Sequence, residues 1–596
     1  MTSTTRHFGA SFLLHETDPE EVVTPEDLGD EERMIMQAFK DFADREVAPH
    51  LEELERGSGG VGMELFRKAA ELGIFMAEVP EEYGGLDLNV LAITGMCSIR
   101  AKLGSLGSLI FGHQGIGMLP LINFATEDQR ERYLVPCMNG EMLSAFALTE
   151  PGTGSDAMNI TTRAVLSDDG THYVVNGAKQ WITNAAWADI FILFVKVDGE
   201  HFSTLIMERD TPGLSIGEDE RLLGQHGASI AALSLEDVRI PVENLLGEVG
   251  KGHKVAFCTL NVGRLKLATN SASGARKAVE VAAQYAAERI QFGRPIGEFG
   301  LIQRKLADMA SRAYAAEAVA YRTSGLVYHS LEDAAGIGTA TLDDKLSTLS
   351  EFSIDCAMAK VYTSEAYNDL ADEALQVFGG YGFSEEYPPA RMYRDSRITR
   401  IYEGTNEICR LYAQRAMLRR AWSGKLDFDG AIEALALGGS HGATSGDTTD
   451  FEAIAAGIRG FKNIYFYLVR EVCGSIERDR MFDADNQQFM ASLADVAIEI
   501  FAAESTFLRV AKHKRGGADA DTALPEALAR ICFERAAGRI REEASEILAA
   551  LHEGDELRSS LGDVAAWLPL PTGLIKTRDF VARSVLEIGG LPASTT

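Results

Sequence analysis

The chain has 596 residues, 46% of them hydrophobic and 24% charged, so it can bury the cores of more than one domain. Its formal net charge of −31 argues against a nucleic-acid partner, because neutralising phosphates requires clustered Lys and Arg. No stretch approaches the roughly 18 uninterrupted apolar residues that suggest a membrane span.

The chain begins with an acidic segment, in which residues 1–33 carry nine Asp and Glu against two Arg. A mitochondrial transit peptide would be rich in Arg and poor in acids, and a secretory signal would contain an apolar core. We therefore expect residues 1–29 to form an acidic tail and the protein to reside in a bacterial-type cytoplasm. Seven scattered cysteines without a CxxC pair suit a reducing compartment and predict no metal site.

Helical spacing of apolar residues predicts a helical N-terminal domain over residues 30–145. Its first helix is expected to begin near Thr24-Pro25-Glu26, where a capping residue and a proline precede acids. Gly84-Gly85 and the glycine-rich stretch 104–117 predict loops between helices.

Strand patterns dominate residues 146–252, which we predict to form a middle β domain. The stretch 172–181 contains Asn176-Gly177 and predicts two strands joined by a tight turn. Residues 190–197 have the pattern of a buried strand, and residues 231–238 have that of another.

Helical periodicity returns over residues 253–425 in long Ala-rich stretches and predicts a helical bundle domain. Residues 426–450 are rich in Gly, Ser, Thr and Asp towards their end, which predicts a linker. Apolar residues at three- and four-residue steps then recur from Phe451 to beyond Pro525. We expect residues 451–596 to form an additional helical domain.

The stretch 400–407, Arg-Ile-Tyr-Glu-Gly-Thr-Asn-Glu, carries the most distinctive acid of the chain. Glu403 stands between an aromatic residue and Gly404, which a helix interior would avoid. This placement suits a carboxylate that is held in a turn and directed into a pocket, and it also fits a solvated loop acid.

Two other stretches have both a chemical and a merely structural interpretation. Residues 149–156 contain glycines that let backbone N–H groups approach an acceptor closely, but such a sequence also suits a plain loop between a helix and a sheet. Trp181-Ile182-Thr183 ends a predicted strand, where a Trp is commonly a core residue.

Taken in this order, residues 146–156, 181–183 and 400–407 resemble the acyl-CoA dehydrogenase flavoproteins. The resemblance covers residues 30–425 with specific motifs. It implies a mainly α fold with a central β domain, in which an N-terminal helical domain, a β-barrel-like middle domain and a C-terminal four-helix bundle follow one another. Here an extra helical C-terminal domain is added to that fold.

The resemblance also implies that the chain binds FAD. In the family the glycine-rich loop lies along the flavin, the matching Trp packs against its ring, and the matching Thr hydrogen-bonds near N5. Two later segments contact the pyrophosphate and adenosine half, commonly of a neighbouring subunit, so the protein is expected to be a homo-oligomer, at least a dimer. The matching positions of this chain are Phe146, Ala147, Leu148, Thr149, Gly154, Ser155, Trp181, Ile182, Thr183, Arg289, Phe292, Gln376, Val377, Phe378, Gly379, Gly380, Thr405 and Glu407.

The resemblance makes Glu403 the implied catalytic base, which removes the α-proton of an acyl-CoA thioester while the β-hydrogen leaves as hydride to the flavin. One branch of the family carries its base on another helix, just before the Arg of the segment that matches residues 261–264. Here that position is Gly263, so Glu403 is the remaining candidate. The implied substrate contacts are Ser155, Asn261, Arg264, Gly404, Ser108 and Gly112.

The additional domain makes the chain similar to the very-long-chain branch of the family, which also has Gly where many relatives have Gln at position 300. Shorter-chain relatives place bulkier polar side chains where this chain has Ser108 and Gly112. The missing side chains would lengthen the acyl tunnel unless a neighbouring residue fills the space, and each buried CH₂ favours binding by roughly 0.8 kcal/mol.

The implied function is desaturation of long-chain acyl-CoA to trans-2-enoyl-CoA in fatty acid β-oxidation, with electrons passing to electron-transferring flavoprotein. The basic stretch 410–425 fits a solvated helix face or a surface for an acidic partner, and the resemblance adds peripheral membrane contact through the C-terminal region. Two alternatives stay open. An acyl-CoA oxidase would form peroxide, and a non-catalytic assembly protein on the same fold would not take up FAD.

Overall fold

The computed structural model describes residues 7–57, 59–335, 340–436, 451–516 and 522–592. The chain divides into two compact units. Unit 1 consists of Met1–Asp27, Leu267–Gly336 and Glu351–Thr596, and unit 2 consists of Leu28–Lys266 and Ile337–Ser350. Residues 437–450, which make up most of the predicted linker, and residues 1–6 of the predicted acidic tail lie outside the described residues.

The N-terminal part of unit 2 is helical, as predicted. Its first α-helix begins at Asp30 and not near Thr24, because Gly29 interrupts the chain and three acids fill the first turn of the helix that follows. Pro25–Asp27 forms only a short 3-10 turn. The helices are α1 Asp30–Phe42, α2 Leu51–Glu55, α3 Gly59–Glu71, α4 Val90–Cys97, α5 Leu106–Ile110, α6 Leu119–Phe124, α7 Glu127–Gln129 and α8 Val135–Met138.

The glycine-rich stretch 104–117 is helical over most of its length, so the prediction of a loop there is wrong. α5 continues directly into a π-helical segment, Phe111–Gly117. A Cβ atom added at Gly112 would lie 2.8 Å from the side chains of both Thr183 and Asn184, and one at Gly117 would collide with Ser144. These glycines allow close packing of a helix against its neighbours and do not mark a turn.

A seven-stranded sheet forms the remainder of unit 2, in the order β1-β4-β2-β3-β7-β6 with β5 paired to β4. β4 and β7 confirm the two strands predicted at 190–197 and 231–238, and β4 is the most deeply buried of the set. The strands are β1 Ser144–Ala147, β2 Arg163–Leu166, β3 His172–Thr183, β4 Ile190–Val197, β5 His201–Glu208, β6 Leu214–Ile216 and β7 Ile230–Pro241.

β3 is one continuous strand, so the predicted tight turn at Asn176-Gly177 is wrong. The pairing of β3 with β7 shifts register between Val175 and Gly177, which is a β-bulge. The Asn176 side chain pairs there with Asp237, and a Cβ atom on Gly177 would lie 2.5 Å from Thr162 Oγ1. The Asn-Gly pair therefore serves a bulge and a close approach to the neighbouring chain segment.

Unit 1 is made up mainly of long helices. The predicted helices of the extension are confirmed, but α17, α18 and α20 all pack against α10 of the bundle, so the extension and the bundle form one compact unit. The elements from here on are α9 Gly252–Glu288, the hairpin β8 Ile290–Gln291 and β9 Arg294–Pro295, α10 Gly300–Ala335, α11 Leu342–Glu351, α12 Ser353–Phe378, α13 Pro388–Arg397, α14 Asn406–Trp422, α15 Phe428–Ala436, α16 Phe451–Ser475, α17 Gln487–Arg515, α18 Ala523–Leu551, α19 Gly554–Trp567 and α20 Ile575–Ile588.

Residues 7–27 are folded against unit 1, which the acidic composition of this segment does not predict. Phe12 and Leu13 are buried in the same apolar cluster as α16 and α17. The acids of the segment pair with cations of α17: Glu26 accepts from Arg509 and Asp18 from Arg515. Ion pairs between these acids and α17 thus attach the segment to the helices of unit 1.

The segment also covers a buried acid on α12. Asp355 is 1% exposed, and its carboxylate oxygens accept the backbone N–H of Ala10 at 3.3 and 3.4 Å. Burial raises the pKa of Asp355 to about 7, although the Arg420 guanidinium and the Ala10 N–H oppose that change.

We expect Asp355 to make unit 1 less stable as pH rises. The folded state keeps the Asp355 proton up to about pH 7, whereas the unfolded state releases it near 3.8, so this contribution is complete below about pH 4 and is lost as pH rises through 7. Asp355→Asn mimics the protonated acid. Relative to the wild type, its unfolding free energy should rise by at most about 3 kcal/mol between pH 5 and pH 8, and its thermal midpoint should rise with it.

Asp429→Asn supplies a matched control, because it makes the same substitution at an exposed acid of unit 1, on α15. A difference between Asp355→Asn and the wild type that stays constant from pH 5 to pH 8 would contradict the account.

In the described part of the chain, no helix has both the length and the apolar character needed to cross a membrane. Within the same ranges, no three His, Cys, Asp or Glu side chains are grouped so that they could hold a metal ion. All seven cysteines are free thiols, and only Cys473 is not buried.

Candidate active site

Glu403 lies in a turn between a short 3-10 segment, Ile398–Arg400, and the start of α14. Its φ angle is 58° and that of Gly404 is 86°, so two successive residues occupy the left-handed region. For a residue with a side chain this conformation costs on the order of 1 kcal/mol or more, and it persists only where the surroundings hold it. The carboxylate oxygen Oε2 of Glu403 is buried, while the residue as a whole is half-buried.

The start of α14 fixes one side of this turn. Thr405 is the N-cap residue, and its hydroxyl accepts the backbone N–H of Ile408 at 3.3 Å. On the other side, the Tyr402 N–H donates to the Ile398 carbonyl at 3.1 Å. Glu403 and Gly404 are therefore held between two hydrogen-bonded ends.

A lysine of α12 contacts the turn from the interior. Lys360 is fully buried, and its Nζ donates to the Gly404 carbonyl at 2.8 Å and to Asn406 Oδ1 at 2.7 Å. The Asn406 amide nitrogen donates in turn to Ser364 Oγ and to Glu365 Oε1, both at 3.1 Å. α12 and the first residue of α14 are thus joined by a buried polar network.

The same network continues along α14. Arg410 pairs with Glu365 at 2.8 Å and with Asp495 of α17 at 2.7 Å. Part of the basic stretch 410–425 is therefore structural, because Arg410 and Arg420 pair with acids within unit 1.

The loop that the sequence predicts to lie along a flavin belongs to unit 2 and is held by a buried ion pair. Glu150 accepts from Lys179 Nζ at 2.9 Å and from the backbone N–H groups of Thr161 and Thr162. Lys179, which is also fully buried, donates to the Leu148 carbonyl at 3.1 Å. Burial alone would raise the pKa of Glu150, but the Lys179 ammonium and these hydrogen bonds outweigh it and lower that pKa to about 2.

The residues of this loop differ in whether their side chain or only their backbone is accessible to a ligand. Ala147 and Leu148 are buried in the core of unit 2, so a ligand along the loop would meet their backbone and not their side chains. Phe146 packs on Phe194 with ring centroids 4.9 Å apart. Gly154 and Ser155 are exposed, and a Cβ atom added at Gly154 would meet nothing within 4 Å.

Among the residues of unit 2 that are predicted to contact the flavin, Trp181 has a large side chain that is exposed. Its φ angle is 55° and its side chain is 58% exposed at the end of β3, so the interpretation as a core residue is wrong. Ile182 is buried, and Thr183 lies against Gly112 of the π-helical segment. A left-handed backbone at a residue with a large side chain is strained, and such strain clusters at functional sites.

The predicted substrate residues of unit 2 have close protein neighbours. Arg264 donates to Asn261 Oδ1 at 3.2 Å on α9, and Gly263 between them is buried. Ser108 hydrogen-bonds to Gln225 and to Arg100. The volume beside Gly112 is occupied by Thr183 and Asn184, so the missing side chain leaves no space on that side.

A third group lies at a surface of unit 1 that we call the hairpin surface. It contains the predicted residues Phe292, Phe378, Gly379 and Gly380, of which Phe378 is largely buried, together with Ile290 and Tyr381, which were not predicted. Phe292 and Gly293 form the two-residue turn between β8 and β9, with φ angles of 52° and 81°. Phe292 is 91% exposed, and Tyr381 is exposed as well.

Arg289 also lies at the hairpin surface, where it contacts Tyr381. The Arg289 guanidinium lies 5.2 Å from the centroid of the Tyr381 ring. Tyr285 stacks on Phe378 with centroids 3.9 Å apart. Gln376 is exposed and Val377 is buried at the end of α12.

The structure thus brings the predicted residues together in groups. In unit 1, Glu403, Gly404 and Thr405 share one turn, with Glu407 exposed on the first turn of α14, and Arg289 joins the hairpin surface. In unit 2, the loop 146–156 is tied to β3 through Glu150 and Lys179, and Thr183 meets Gly112.

Sequence reasoning missed the residues that hold these segments, namely Lys360, Asn406 and the Glu150–Lys179 pair. A signal for Lys360 was present, because it directly follows the small and apolar run Ala357-Met358-Ala359 in a stretch predicted to be helical. A lysine at such a position needs a buried acceptor.

Family models match four stretches of the chain. They are described as acyl-CoA dehydrogenase N-terminal domain over residues 29–141, middle domain over 145–238, and C-terminal domain over 250–418 and, by a second model, over 480–565. The last match lies in the extension.

Individual proteins agree with these matches. A probable acyl-CoA dehydrogenase of Bacillus subtilis (strain 168) is 38% identical over 585 residues, 97% of each chain. The very long-chain specific acyl-CoA dehydrogenase, mitochondrial, of Macaca fascicularis is 39% identical over 357 residues, which cover 57% of this chain and 51% of that protein.

The fold has a counterpart among solved structures. The crystal structure of an acyl-CoA dehydrogenase from Bacillus anthracis, complexed with FAD, superposes with a TM-score of 0.94 at 38% identity, covering 98% of this chain and 100% of that one. Similarity over nearly the full length of both chains, including the extension, shows common ancestry and not a shared superfold alone. The chain belongs to the acyl-CoA dehydrogenase family.

Proposed function

We propose that this protein is an FAD-dependent acyl-CoA dehydrogenase that converts long-chain acyl-CoA to trans-2-enoyl-CoA in fatty acid β-oxidation. The observation that carries the proposal is Glu403, a carboxylate with a buried oxygen in a left-handed turn that two ends and a buried lysine hold in place. Family membership supports an oxidoreductase and supplies the reaction class.

The residues of unit 2 suit an isoalloxazine ring. Trp181 offers an exposed aromatic face, Gly152 and Gly154 leave open space beside the backbone, and Thr183 offers a hydroxyl. Bound FAD supplies the acceptor for the hydride, which no protein side chain can replace. We assign Phe146, Thr149, Ser155, Trp181 and Thr183 to side-chain contacts, and Ala147 and Leu148 to backbone contacts.

Glu403 would act as the general base on the α-carbon of the thioester. A carboxylate that loses part of its hydration is a stronger base than one in water, and an oriented base needs no reorganisation when the proton moves. Its backbone N–H would donate to the thioester oxygen and stabilise the charge that develops there as the proton leaves. Asn261, Arg264 and Gly404 would contact the substrate.

We propose that the hairpin surface is covered in a homodimer, where it would meet the pyrophosphate and adenosine half of FAD. Phe292 is 91% exposed and in left-handed conformation at the tip of a two-residue turn. Its ring meets that of Phe299 edge to face with centroids 6.0 Å apart, so most of its apolar surface is left uncovered in the single chain. Arg289 adds a cation that suits a pyrophosphate.

The long-chain preference rests on the extension and on the similarity to the very long-chain specific enzyme. Gly112 does not lengthen the acyl tunnel as predicted, because Thr183 and Asn184 occupy the space beside it. We propose electron-transferring flavoprotein as the electron acceptor, since a dehydrogenase of this class must pass on its electrons without releasing peroxide.

We expect Glu403→Gln to keep FAD bound and to lower the rate of flavin reduction by any acyl-CoA by at least about 10⁴-fold, because the amide cannot accept the α-proton. Anaerobic stopped-flow absorbance of the flavin measures this rate. Glu546→Gln, at an exposed acid of α18, is the control and should reduce at the wild-type rate. A Glu403→Gln variant that keeps even a tenth of the rate would refute the assignment of the base.

We expect the rate of flavin bleaching in the wild type to rise with acyl length and to peak at long chains. Anaerobic titration with acyl-CoAs from C4 to C18 or longer measures this directly. A peak at short chains would overturn the long-chain proposal while leaving the dehydrogenase intact. Stoichiometric peroxide during aerobic turnover would instead identify an oxidase, and failure to take up FAD would identify a non-catalytic assembly protein.

We expect Phe292→Asp to dissociate the dimer and to release FAD, because a charge at the tip of the hairpin would be buried against the partner. Light scattering coupled to size-exclusion chromatography gives the mass, and flavin absorbance gives the occupancy. Leu570→Asp changes an equally exposed apolar residue of unit 1 outside the hairpin surface and should alter neither. Unchanged mass and occupancy in Phe292→Asp would contradict the proposal.

A further inference from the structure

We propose that Lys360 is a positioning residue for catalysis, whose buried ammonium holds the Glu403–Gly404 turn in the left-handed conformation that the reaction needs. This inference rests on the proposed function, because it assumes that Glu403 is the base. It adds Lys360, a residue of α12 that no sequence motif contains, to the residues that hold the turn before α14.

The first argument is the cost of burying a charge. Lys360 is 0% exposed in the middle of α12, with the buried residues Ala357, Met358, Ala359 and Val361 beside it in sequence. An ammonium loses strong hydration there, and a methionine of similar length would fill the same space without that loss. The presence of the charge therefore calls for a task that a neutral side chain does not perform.

The second argument is where the ammonium is directed. Its hydrogen bond of 2.8 Å ends on the carbonyl of Gly404, which belongs to the peptide group between Gly404 and Thr405, the second peptide group after Glu403. Its second bond, of 2.7 Å, ends on Asn406 Oδ1, one residue further past the N-cap Thr405. Both bonds fall on the short segment that carries the proposed base.

The third argument is backbone strain. Glu403 at φ 58° would relax to a right-handed or extended conformation if the segment after it were free to move. That change of φ would displace Gly404, and a bond from a buried cation to the Gly404 carbonyl opposes the displacement, since it would leave the ammonium buried with one acceptor fewer. The residues of α12 around Lys360 are buried, so packing holds this part of the helix in place. Through Lys360 the turn is therefore attached to a rigid part of unit 1.

The competing explanation is that Lys360 only stabilises unit 1, and Lys462 provides the comparison. Lys462 is also buried in unit 1, where it pairs with Glu504 and donates to the His15 carbonyl at 3.1 Å. It holds the N-terminal segment and does not contact the turn. Loss of either lysine should destabilise the protein, but only the loss of Lys360 should change the turn.

The test uses the FAD-loaded protein and the variants Lys360→Met, Lys360→Arg and Lys462→Met. For Lys360→Met we expect FAD retention, a limiting rate of flavin reduction lowered about 100-fold, and a half-saturating acyl-CoA concentration within about threefold of wild type. Lys360→Arg keeps a cation and should recover part of the rate. Lys462→Met should lower the thermal midpoint as Lys360→Met does, with the rate of reduction unchanged.

A second readout does not depend on activity. Hydrogen–deuterium exchange followed by mass spectrometry should show backbone amides of residues 402–406 exchanging at least about tenfold faster in Lys360→Met than in wild type or Lys462→Met. If Lys360→Met does not fold, Asn406→Ala removes the second acceptor of the ammonium and should show a smaller change of the same kind in both readouts.

A Lys360→Met protein that reduces its flavin at the wild-type limiting rate, or that exchanges these amides no faster than Lys462→Met, would overturn the inference. Equal slowing in Lys360→Met and Lys462→Met would do the same, since it would show a general loss of stability. Failure of the proposed function has a different signature: the wild type itself would then not be bleached by any acyl-CoA, while the exchange measurement would still decide whether Lys360 holds the turn.

Discussion

The hydrogen bond from the buried Lys360 ammonium to the Gly404 carbonyl is the interaction on which the proposed chemistry depends most. Glu403 occupies a backbone conformation that its side chain disfavours, and the turn has few residues of its own to hold it there. The surrounding helices supply the missing constraint: α12 through Lys360 and Ser364, α14 through its N-cap, and α17 through Asp495, which pairs with Arg410 of α14. The extension thereby supports the proposed catalytic turn, because α17 contributes to the same polar network.

Buried charge is used in a similar way in the other unit. The Glu150–Lys179 pair fixes the loop 146–156 to β3, just as Lys360 fixes the turn at Glu403. In both places a lysine without solvent contact donates to a backbone carbonyl of a functional segment, the carbonyl of Leu148 in one case and that of Gly404 in the other. Unpaired buried groups are costly, so such contacts allow few alternative loop conformations. We infer that both segments are pre-organised before any ligand binds.

The sequence predicts the order of helical, β and helical regions, the strands β4 and β7, and the long helices of the extension, because apolar periodicity over many residues reflects burial directly. It fails where one short motif serves two structures. Asn176-Gly177 suits a hairpin turn but forms a bulge against Thr162, and the glycines at 112 and 117 suit a loop but allow close helix packing. The acids of residues 7–27 suggest a tail, yet their partners on α17 lie almost 500 residues away in the chain. For the candidate site, the motifs indicate the segments, whereas the contacts of Lys360 and Lys179 are tertiary. The sequence marks Lys360 as a cation in an apolar run, but it does not show that this cation bonds to Gly404.

The central claim is that Glu403 removes the α-proton in the step that reduces the flavin. It is tested most directly by the deuterium isotope effect on anaerobic flavin reduction, measured with the wild type and long-chain acyl-CoA deuterated at Cα, at Cβ, or at both. The account predicts a primary isotope effect at each carbon, because the proton and the hydride leave in the same chemical step. A primary effect at Cβ with none at Cα would contradict it, since proton removal by Glu403 would then not limit the reaction.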